Sequence, residues 1–269
     1  MVKIDKESCT GCAECVKDCF AYNIKIENGK AYTLRDTCML CGHCIAICPE
    51  NAVLITDYDM SDIIDVMPVK FSADDVMSFI KTRRSIRQYQ NRAVDRKTLE
   101  QIIEAARFTP TAGNLQGLSF TVVEKNMESF REIVIANLAR KGHEFLSSEN
   151  TPPHLAGYAH KWISIEKSYR KNPAAKDDIF LGAPIAVLIS GTNPIDAGLA
   201  AANMEHLARA NGLGVLFSGF ITRGAGYDNA KKAAGVPEGK EVLISLLIGY
   251  PDVRYIRSVP RKKANVIWI

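Results

Sequence analysis

All eight cysteines of this 269-residue chain lie between residues 9 and 48, and the long remainder contains none. Their order is Cys9, Cys12, Cys15, Cys19, then Cys38, Cys41, Cys44, Cys48, each member of the second set standing 29 residues after its counterpart. A repeat at fixed offset implies one small structural unit used twice. Each run reads C-x2-C-x2-C-x3-C, so three sulfurs fall within seven residues and can cap three corners of a metal cube if the loop wraps around it. The fourth corner must be reached from elsewhere, and the other repeat can supply it. Disulfides suit small secreted chains, whereas the start, MVKIDKESC, has neither an apolar h-region nor a cleavage-like site. Structural zinc favours two separated C-x-x-C pairs over two four-cysteine runs. Buried free thiols are the third alternative, and iron-sulfur chemistry fits the spacing best.

This spacing, with Cys48-Pro49 closing the second run, is the pattern of bacterial two-cluster ferredoxins, in which the fourth cysteine of each run ligates the other cluster; the first run departs from it by ending in Cys19-Phe20. By that crossed rule Cys9, Cys12, Cys15 and Cys48 hold one [4Fe-4S] cluster, and Cys38, Cys41, Cys44 and Cys19 hold the other. His43 is then a surface neighbour rather than a ligand. A domain of residues 1–58 is small for a self-sufficient core, so the clusters are expected to staple it. Apolar strips at Tyr22 to Ile26 and Val53 to Ile55 fit short strand pairs around them. This segment carries 6 basic and 8 acidic side chains, against 28 and 22 in the rest, so the two parts differ in the sign of their charge.

Hydrophobic residues make up 47% of the chain and charged residues 24%, which excludes a disordered polymer. No apolar run approaches the ~20 residues of a membrane helix, so neither a membrane span nor export is expected, and the cytoplasm is the expected location. A net charge of +4, without a recognition motif, gives no ground for a nucleic-acid partner.

Residues 59–71 read as a linker, with Pro68, that could add an edge strand, and residues 72–269 as the larger domain. Ser72 and Asp75 form a capping box for a helix running to about Thr82, with Val76, Phe79 and Ile80 at helical spacing. Asp95 similarly precedes Leu99, Ile102, Ile103 and Ala106 on one face. Strands are expected at Phe120 to Val123, Ile185 to Ser190, Val215 to Phe217 and Val242 to Ile248. Further helices are expected at Glu128 to Ala139, Ile195 to Ala210 and Tyr227 to Ala234. Interleaved elements of both kinds mean α/β or α+β, with a sheet covered by helices. Gly212-Leu-Gly214 lacks the third glycine of a dinucleotide fingerprint, and Gly235 to Lys240 is one residue short of a phosphate loop. Gly212 and Gly214 more simply end the preceding helix. Arg83-Arg84-Ser85-Ile86-Arg87 is the densest positive group, and guanidinium forks suit phosphate oxygens; Pro260-Arg261-Lys262-Lys263 is a second basic group.

Taken in order, Arg83 to Arg87, Thr109-Pro-Thr-Ala-Gly-Asn-Leu-Gln116, Gly212-Leu-Gly214 leading to Phe217-Ser-Gly-Phe220, Gly249-Tyr-Pro251 and Pro260 to Lys263 resemble the FMN-binding signature of the nitroreductase superfamily. With the cysteine repeat in front, the whole chain resembles its ferredoxin-fused branch. The resemblance implies an α+β fold: a two-cluster ferredoxin-like domain, then a nitroreductase-like α/β sandwich whose central sheet is covered by helices, assembled as an intertwined homodimer. It implies that Arg83, Ser85 and Arg87 meet the phosphate, ribityl chain and pyrimidine edge of FMN, with Arg84 contributing mainly backbone. Arg261 and Lys263 complete the phosphate grip, Lys262 being the other candidate there. Pro110, Thr111, Ala112 and Asn114 reach the flavin from the partner subunit, with Gln116 assisting, and Ser218 and Gly219 present backbone N–H groups near N5. The stretch 136–180 matches no motif and reads as a lid, with Tyr158, His160 and Trp162 as its candidate substrate contacts, or as a helical insertion packed by its aromatics.

The implied activity is an oxidoreductase in which electrons enter two [4Fe-4S] clusters singly, cross to FMN, and leave as a pair to an oxidised organic acceptor of nitroaromatic, quinone or enone-like type. The cofactors perform the hard chemistry, so no dedicated side-chain acid or base is expected. The donor is a soluble ferredoxin, or NAD(P)H with the clusters as an accessory path. A non-catalytic relay between protein partners is the alternative from another class.

Overall fold

The computed structural model describes residues 1–68 and 70–269. By its internal contacts the chain divides into a first unit, Met1–Lys70 with Thr111–Leu115, and a second, Phe71–Pro110 with Gln116–Ile269.

In the first unit the repeat in sequence becomes a repeat in structure. Strand β1 (Val2–Ile4), helix α1 (Glu14–Lys17) and strand β2 (Ile24–Glu27) are followed by β3 (Lys30–Thr33), α2 (His43–Ala46) and β4 (Val53–Ile55). Strand β1 pairs antiparallel with β4, and β2 with β3. Left-handed backbone recurs at matching places 29 residues apart: Gly11 and Leu40, Ala13 and Gly42, Tyr22 and Asn51. Gly11 is obligatory, because a Cβ there would lie 2.1 Å from the Gly29 carbonyl oxygen. The Asn28-Gly29 turn, left-handed at both residues, closes the β2–β3 hairpin as such pairs do. Buried apolar residues are few: Ile24, Ala31 and Ala52 beside Cys9 and Cys15, and Val2, Val53 and Ile55. The linker expected over 59–71 includes Val69, which lies outside the described residues. Its described part forms a 3-10 turn at Met60–Asp62 and no strand, because Asp59 turns back to accept from the Ser61 N–H at 2.9 Å.

The second unit is built on an antiparallel sheet of β5 (Ser119–Val123), β6 (Ile185–Gly191), β7 (Gly214–Phe217) and β8 (Glu241–Gly249), in the order β5-β6-β8-β7. Every residue of β6 is buried, because the sheet is covered on both faces. Ile185, Val187 and Ile189 pack with α4 (Arg96–Arg107) and α7 (Pro194–Ala210) through Leu99, Ile102, Ala200, Ala201 and Met204. Ala186 and Leu188 face α5 (Met127–Leu146), α6 (Pro153–Lys171), α8 (Gly219–Ala225) and α9 (Asp228–Ala233). The fold is therefore α+β, with the strand sites read from the sequence each extended by a residue or so.

The capping expectations hold. Ser72 and Asp75 exchange hydrogen bonds at the start of α3 (Ala73–Thr82), and Asp95 accepts from the Thr98 N–H ahead of α4. Gly212, left-handed, ends α7, with Leu213 N–H returning to the Ala208 carbonyl at 2.9 Å. Gly214 has a different job: it opens β7, where a Cβ would strike Ile86 at 2.4 Å. Helix α5 runs further than its apolar pattern suggests, and α6 falls in the stretch read as a lid or as a helical insertion packed by its aromatics. The two helices pack closely at Gly142, where a Cβ would stand 2.8 Å from the Ala159 carbonyl oxygen. Among the described residues no helix is long and apolar enough to cross a membrane.

Candidate functional site

The eight thiols are free, and the fold collects them into two hollows. One, with about 340 Å³ of empty space, is lined by Cys9, Cys12, Cys15 and Cys48. The other, with about 430 Å³, is lined by Cys19, Cys38, Cys41 and Cys44. Each hollow thus takes three sulfurs from one repeat and one from the other. Backbone N–H groups point at four of the sulfurs: Ala31 to Cys9 at 3.4 Å, Asn23 to Cys19 at 3.3 Å, Leu40 to Cys38 at 3.4 Å and Ala52 to Cys48 at 3.3 Å. The Ala31 N–H holds the Cys9 thiol below its ordinary value. Burial, then repulsion from Cys12, Cys48 and Cys9, pushes Cys15 up. Burial, then Cys41 and Cys38, pushes Cys44 up to about 11. Four thiolates crowded this way repel one another unless cationic metal sits among them, and the N–H donors are the kind that iron-bound sulfur accepts. The residues fit a four-iron cube in each hollow. His43 stands outside the sulfur sets, exposed, with Nδ1 3.0 Å from Asp18 Oδ2.

In the second unit two motifs that lie far apart in sequence run side by side. Ile86 donates its N–H to the Val215 carbonyl at 3.0 Å, laying Arg83 to Arg87 along β7, the edge strand that leads directly to Ser218 and Gly219. Arg83 Nη1 pairs with Glu205 Oε1 at 3.1 Å. Arg209, one turn further on α7, donates to the Phe79 carbonyl and to Thr82 Oγ1, and its guanidinium lies 4.2 Å from the centre of the Phe79 ring. Burial, with the Arg83 and Arg84 charges beside it, lowers the Arg209 pKa against the pull of Glu205. Three guanidiniums therefore lie together, with Arg83 and Arg209 drawn to one buried carboxylate, Glu205. Arg84 Nε is buried without a hydrogen-bond partner, and such an orphan donor in a surplus of positive charge fits an anion such as phosphate. Ser85 is half-buried and Arg87 exposed.

The Ser218-Gly219 turn borders an open hollow of about 700 Å³, lined also by Phe217, Thr222, Arg223 and Leu243. Ser218 caps α8, and its own N–H is taken by the Ser245 carbonyl at 2.8 Å. That corrects the expectation of two donors at this turn and leaves the Gly219 N–H, at a position where even a Cβ would meet nothing within 4 Å. Of the three aromatic residues read as lid contacts, Tyr158 and His160 are exposed, but Trp162 is 1% exposed. It packs in the core against Tyr158, Phe145 and Phe220, so Trp162 is a packing residue.

The segment expected to reach a flavin is divided between the units. Pro110 and Gln116 belong to the second unit, whereas Thr111, Ala112 and Asn114 belong to the first. There Asn114 Nδ2 donates to the carbonyls of Met39 and Leu40 at 3.1 and 2.9 Å. Arg261, Lys262 and Lys263 stand exposed on a tail without regular structure. Sequence reasoning missed Glu205 and Arg209. Their spacing of four on one helix was visible, but their meeting with Arg83 across 122 residues was not.

Four-cysteine hollows in one unit and a two-faced antiparallel sheet with an arginine-lined edge in the other define a class, an iron-sulfur module joined to a nitroreductase-type α+β domain. Residues 80–250 match the model described as Nitroreductase family, and residues 1–49 match the one described as 4Fe-4S dicluster domain. The chain belongs to the nitroreductase family and is an oxidoreductase carrying a 4Fe-4S ferredoxin domain. It is 26% identical over 178 residues to a provisionally named NADH dehydrogenase/NAD(P)H nitroreductase of Archaeoglobus fulgidus, covering 66% of this chain and 86% of that protein. It is also 40% identical over 45 residues, 17% of each chain, to a component of an ion-translocating oxidoreductase complex of Methanosarcina acetivorans. In fold it resembles a nitroreductase with bound FMN from Bacteroides fragilis, with a TM-score of 0.56 and 21% identity, covering 72% of this chain and 98% of that one.

Proposed function

We propose that the chain is an FMN-dependent iron-sulfur reductase of small oxidised organic acceptors, nitroaromatic, quinone or enone-like. When bound, the two [4Fe-4S] clusters and FMN supply the exchange between single electrons and electron pairs. Cys9, Cys12, Cys15 and Cys48 hold one cluster, and Cys19, Cys38, Cys41 and Cys44 the other. Arg83, Arg84 and Arg261 with Lys263 grip the phosphate, Glu205 orients Arg83, and Ser85 and Arg87 follow the rest of the cofactor. The Gly219 N–H faces the ring. Tyr158 and His160 edge the acceptor. The observation that carries this reading is the pairing, in one chain, of two hollows each lined by four sulfurs with an arginine-rich segment laid along the strand that leads to the Ser218 turn.

A homodimer is part of the proposal. Helix α3 buries none of its residues, leaving Val76, Met77 and Ile80 exposed, and Ile195, Leu199, Ile267 and Trp268 add more apolar surface than a lone chain usually shows. The electron donor is a one-electron protein such as a soluble ferredoxin, since a nicotinamide needs no cluster to reach a flavin. NAD(P)H is the second reading, favoured by the name of the Archaeoglobus fulgidus relative.

Anaerobic purification should give about eight irons and one FMN per chain, the count two four-iron clusters require. Photoreduced protein should be reoxidised rapidly by a small nitro compound. Reoxidation only by another protein would instead establish the relay, and a colourless zinc protein would overturn both. Arg83→Ala should weaken FMN retention by ~1.5 to 3 kcal/mol, the worth of one charge-assisted contact. Unchanged flavin content after dilution of that variant would place the phosphate elsewhere.

A further inference from the structure

The two cysteine loops have the same backbone but different supports. In the first, Gly11 sits in left-handed conformation beneath the Gly29 carbonyl, and the hairpin strand behind it sends the Ala31 N–H to Cys9 Sγ. Lys30 Nζ donates to the Cys9 carbonyl as well. The β2–β3 hairpin therefore braces this loop within its own repeat. In the second loop the place of Gly11 is taken by Leu40, also left-handed at φ 53°. A side chain in that conformation is strained and must be held there. Shifted by the same 29 residues, β2 falls on β4, and the place of β3 falls at the start of the connector, where a 3-10 turn at Met60–Asp62 stands instead of a strand. The β2–β3 hairpin thus has no second copy among the described residues.

A different group fills the gap. The segment Thr111–Leu115 joins this unit from far along the chain, and Asn114 presents both hydrogens of its amide to the carbonyls on either side of the Met39–Leu40 bond. Between the two clamped carbonyls, on the same peptide group as that of Met39, lies the N–H that Leu40 gives to Cys38 Sγ at 3.4 Å. An asparagine amide suits the task because it has two donors in one plane. We propose that Asn114 is a positioning residue for the second cysteine hollow, clamping Met39 and Leu40 so that the Leu40 N–H stays aimed at Cys38. This rests on the reading of the hollows as cluster sites. Hydrogen bonds to ligand sulfur favour the more negative, reduced form of a cluster and raise its potential, so the clamp sets the potential of the second cluster separately from the first.

The test uses the full-length holoprotein, with both clusters followed by electron paramagnetic resonance through a reductive titration and the second signal assigned with Cys41→Ser. Asn114→Asp keeps the size but turns an acceptor toward two carbonyls, Asn114→Ala removes the clamp, and Asn114→Gln restores a donor. The expected result is a lower midpoint potential and an altered spectrum for the second cluster in the Asp and Ala variants, the first cluster unmoved, and partial recovery in the Gln variant. Loss of about half the iron, with the first signal kept, supports the proposal in stronger form. Unchanged potentials in Asn114→Asp would overturn it, as would equal shifts in both clusters, which mean general loosening. Wild-type protein without iron and sulfide would instead refute the cluster reading itself.

Discussion

In the first unit the buried apolar side chains besides Cys9 and Cys15 are Val2, Ile24, Ala31, Ala52, Val53 and Ile55, and the space between them is lined with sulfur. In the second, the sheet carries an apolar layer on each face, one built with α4 and α7 and the other with α5, α6, α8 and α9. At ~25 cal/mol per Å² of apolar area, so few small residues cannot offset the entropy of ordering their own chain. The second unit has the ordinary means of a globular domain. Stability therefore resides in different places: the first unit depends on what its cysteines hold, whereas the second depends on packing.

Removing the iron should have the greatest consequence. Chelation with mild oxidation should melt the first unit and open residues 1–68 to protease while the second unit keeps its protection, because binding energy at such a site is folding energy. Hydrogen exchange read by mass spectrometry would check this. Unchanged protection of β1 to β4 after iron loss would erase the distinction between the units.

Next comes Gly11→Ala, which carries the contrast inside the first unit. Its Cβ would meet backbone at 2.1 Å in a left-handed conformation, so neither relaxation nor a rotamer can accommodate it. About half the iron should be lost, the share of one four-iron site. Leu40→Gly, at the equivalent position of the other loop, should keep its iron. Equal iron in the two variants would mean that the loops are braced alike.

A third variant probes the second unit. Met204 is fully buried between α7 and the sheet, so Met204→Ala should destabilise this unit by ~2 to 5 kcal/mol in urea denaturation. Iron content should not change. A fall in iron along with the urea midpoint would show that the units are not separately stabilised.

These units were not equally legible. The cysteine hollows could be read almost entirely from sequence, because three ligands of each are local and the repeat names the fourth. Helix starts at Ser72 and Asp95 were legible for the same reason: a cap is a contact over three residues. Strand β6 was visible as an unbroken apolar run. What escaped depends on distant partners or weak periodicity. Helix α6 buries only Ala159, Trp162 and Ile163 among charged and polar neighbours, so its faint pattern left a lid and a packed helical insertion both open, and the core place of Trp162 is supplied by Phe145 and Phe220. Helix α8 is seven residues long and contains two glycines. Glu205 looked like any helical acid until Arg83 was brought to it. Asn114 belonged to a motif read as flavin-facing, and nothing local announces that its amide serves the Met39–Leu40 loop.

A slighter change tests whether the second unit's stability also draws on its caps. Asp95 accepts from Thr98 Oγ1 at 2.6 Å and from the Thr98 N–H at 2.9 Å, and these two bonds, hydroxyl first, hold its carboxyl below the usual range. A carboxyl whose folded pKa is depressed contributes stability that is complete above its unfolded value and lost as pH falls through the folded one. With an unfolded value near ~3.9, the loss should begin below about pH 5 and grow toward pH 3. Asp95→Asn keeps an oxygen for the Thr98 N–H but cannot titrate. Tryptophan fluorescence reports on this unit alone, since Trp162 and Trp268 both lie in it. The wild-type thermal midpoint should therefore fall more between pH 5 and pH 3 than that of Asp95→Asn, by a modest margin because the side chain is exposed to solvent screening. Parallel pH profiles would show that the ionised cap adds nothing, leaving the buried layers as this unit's sole support.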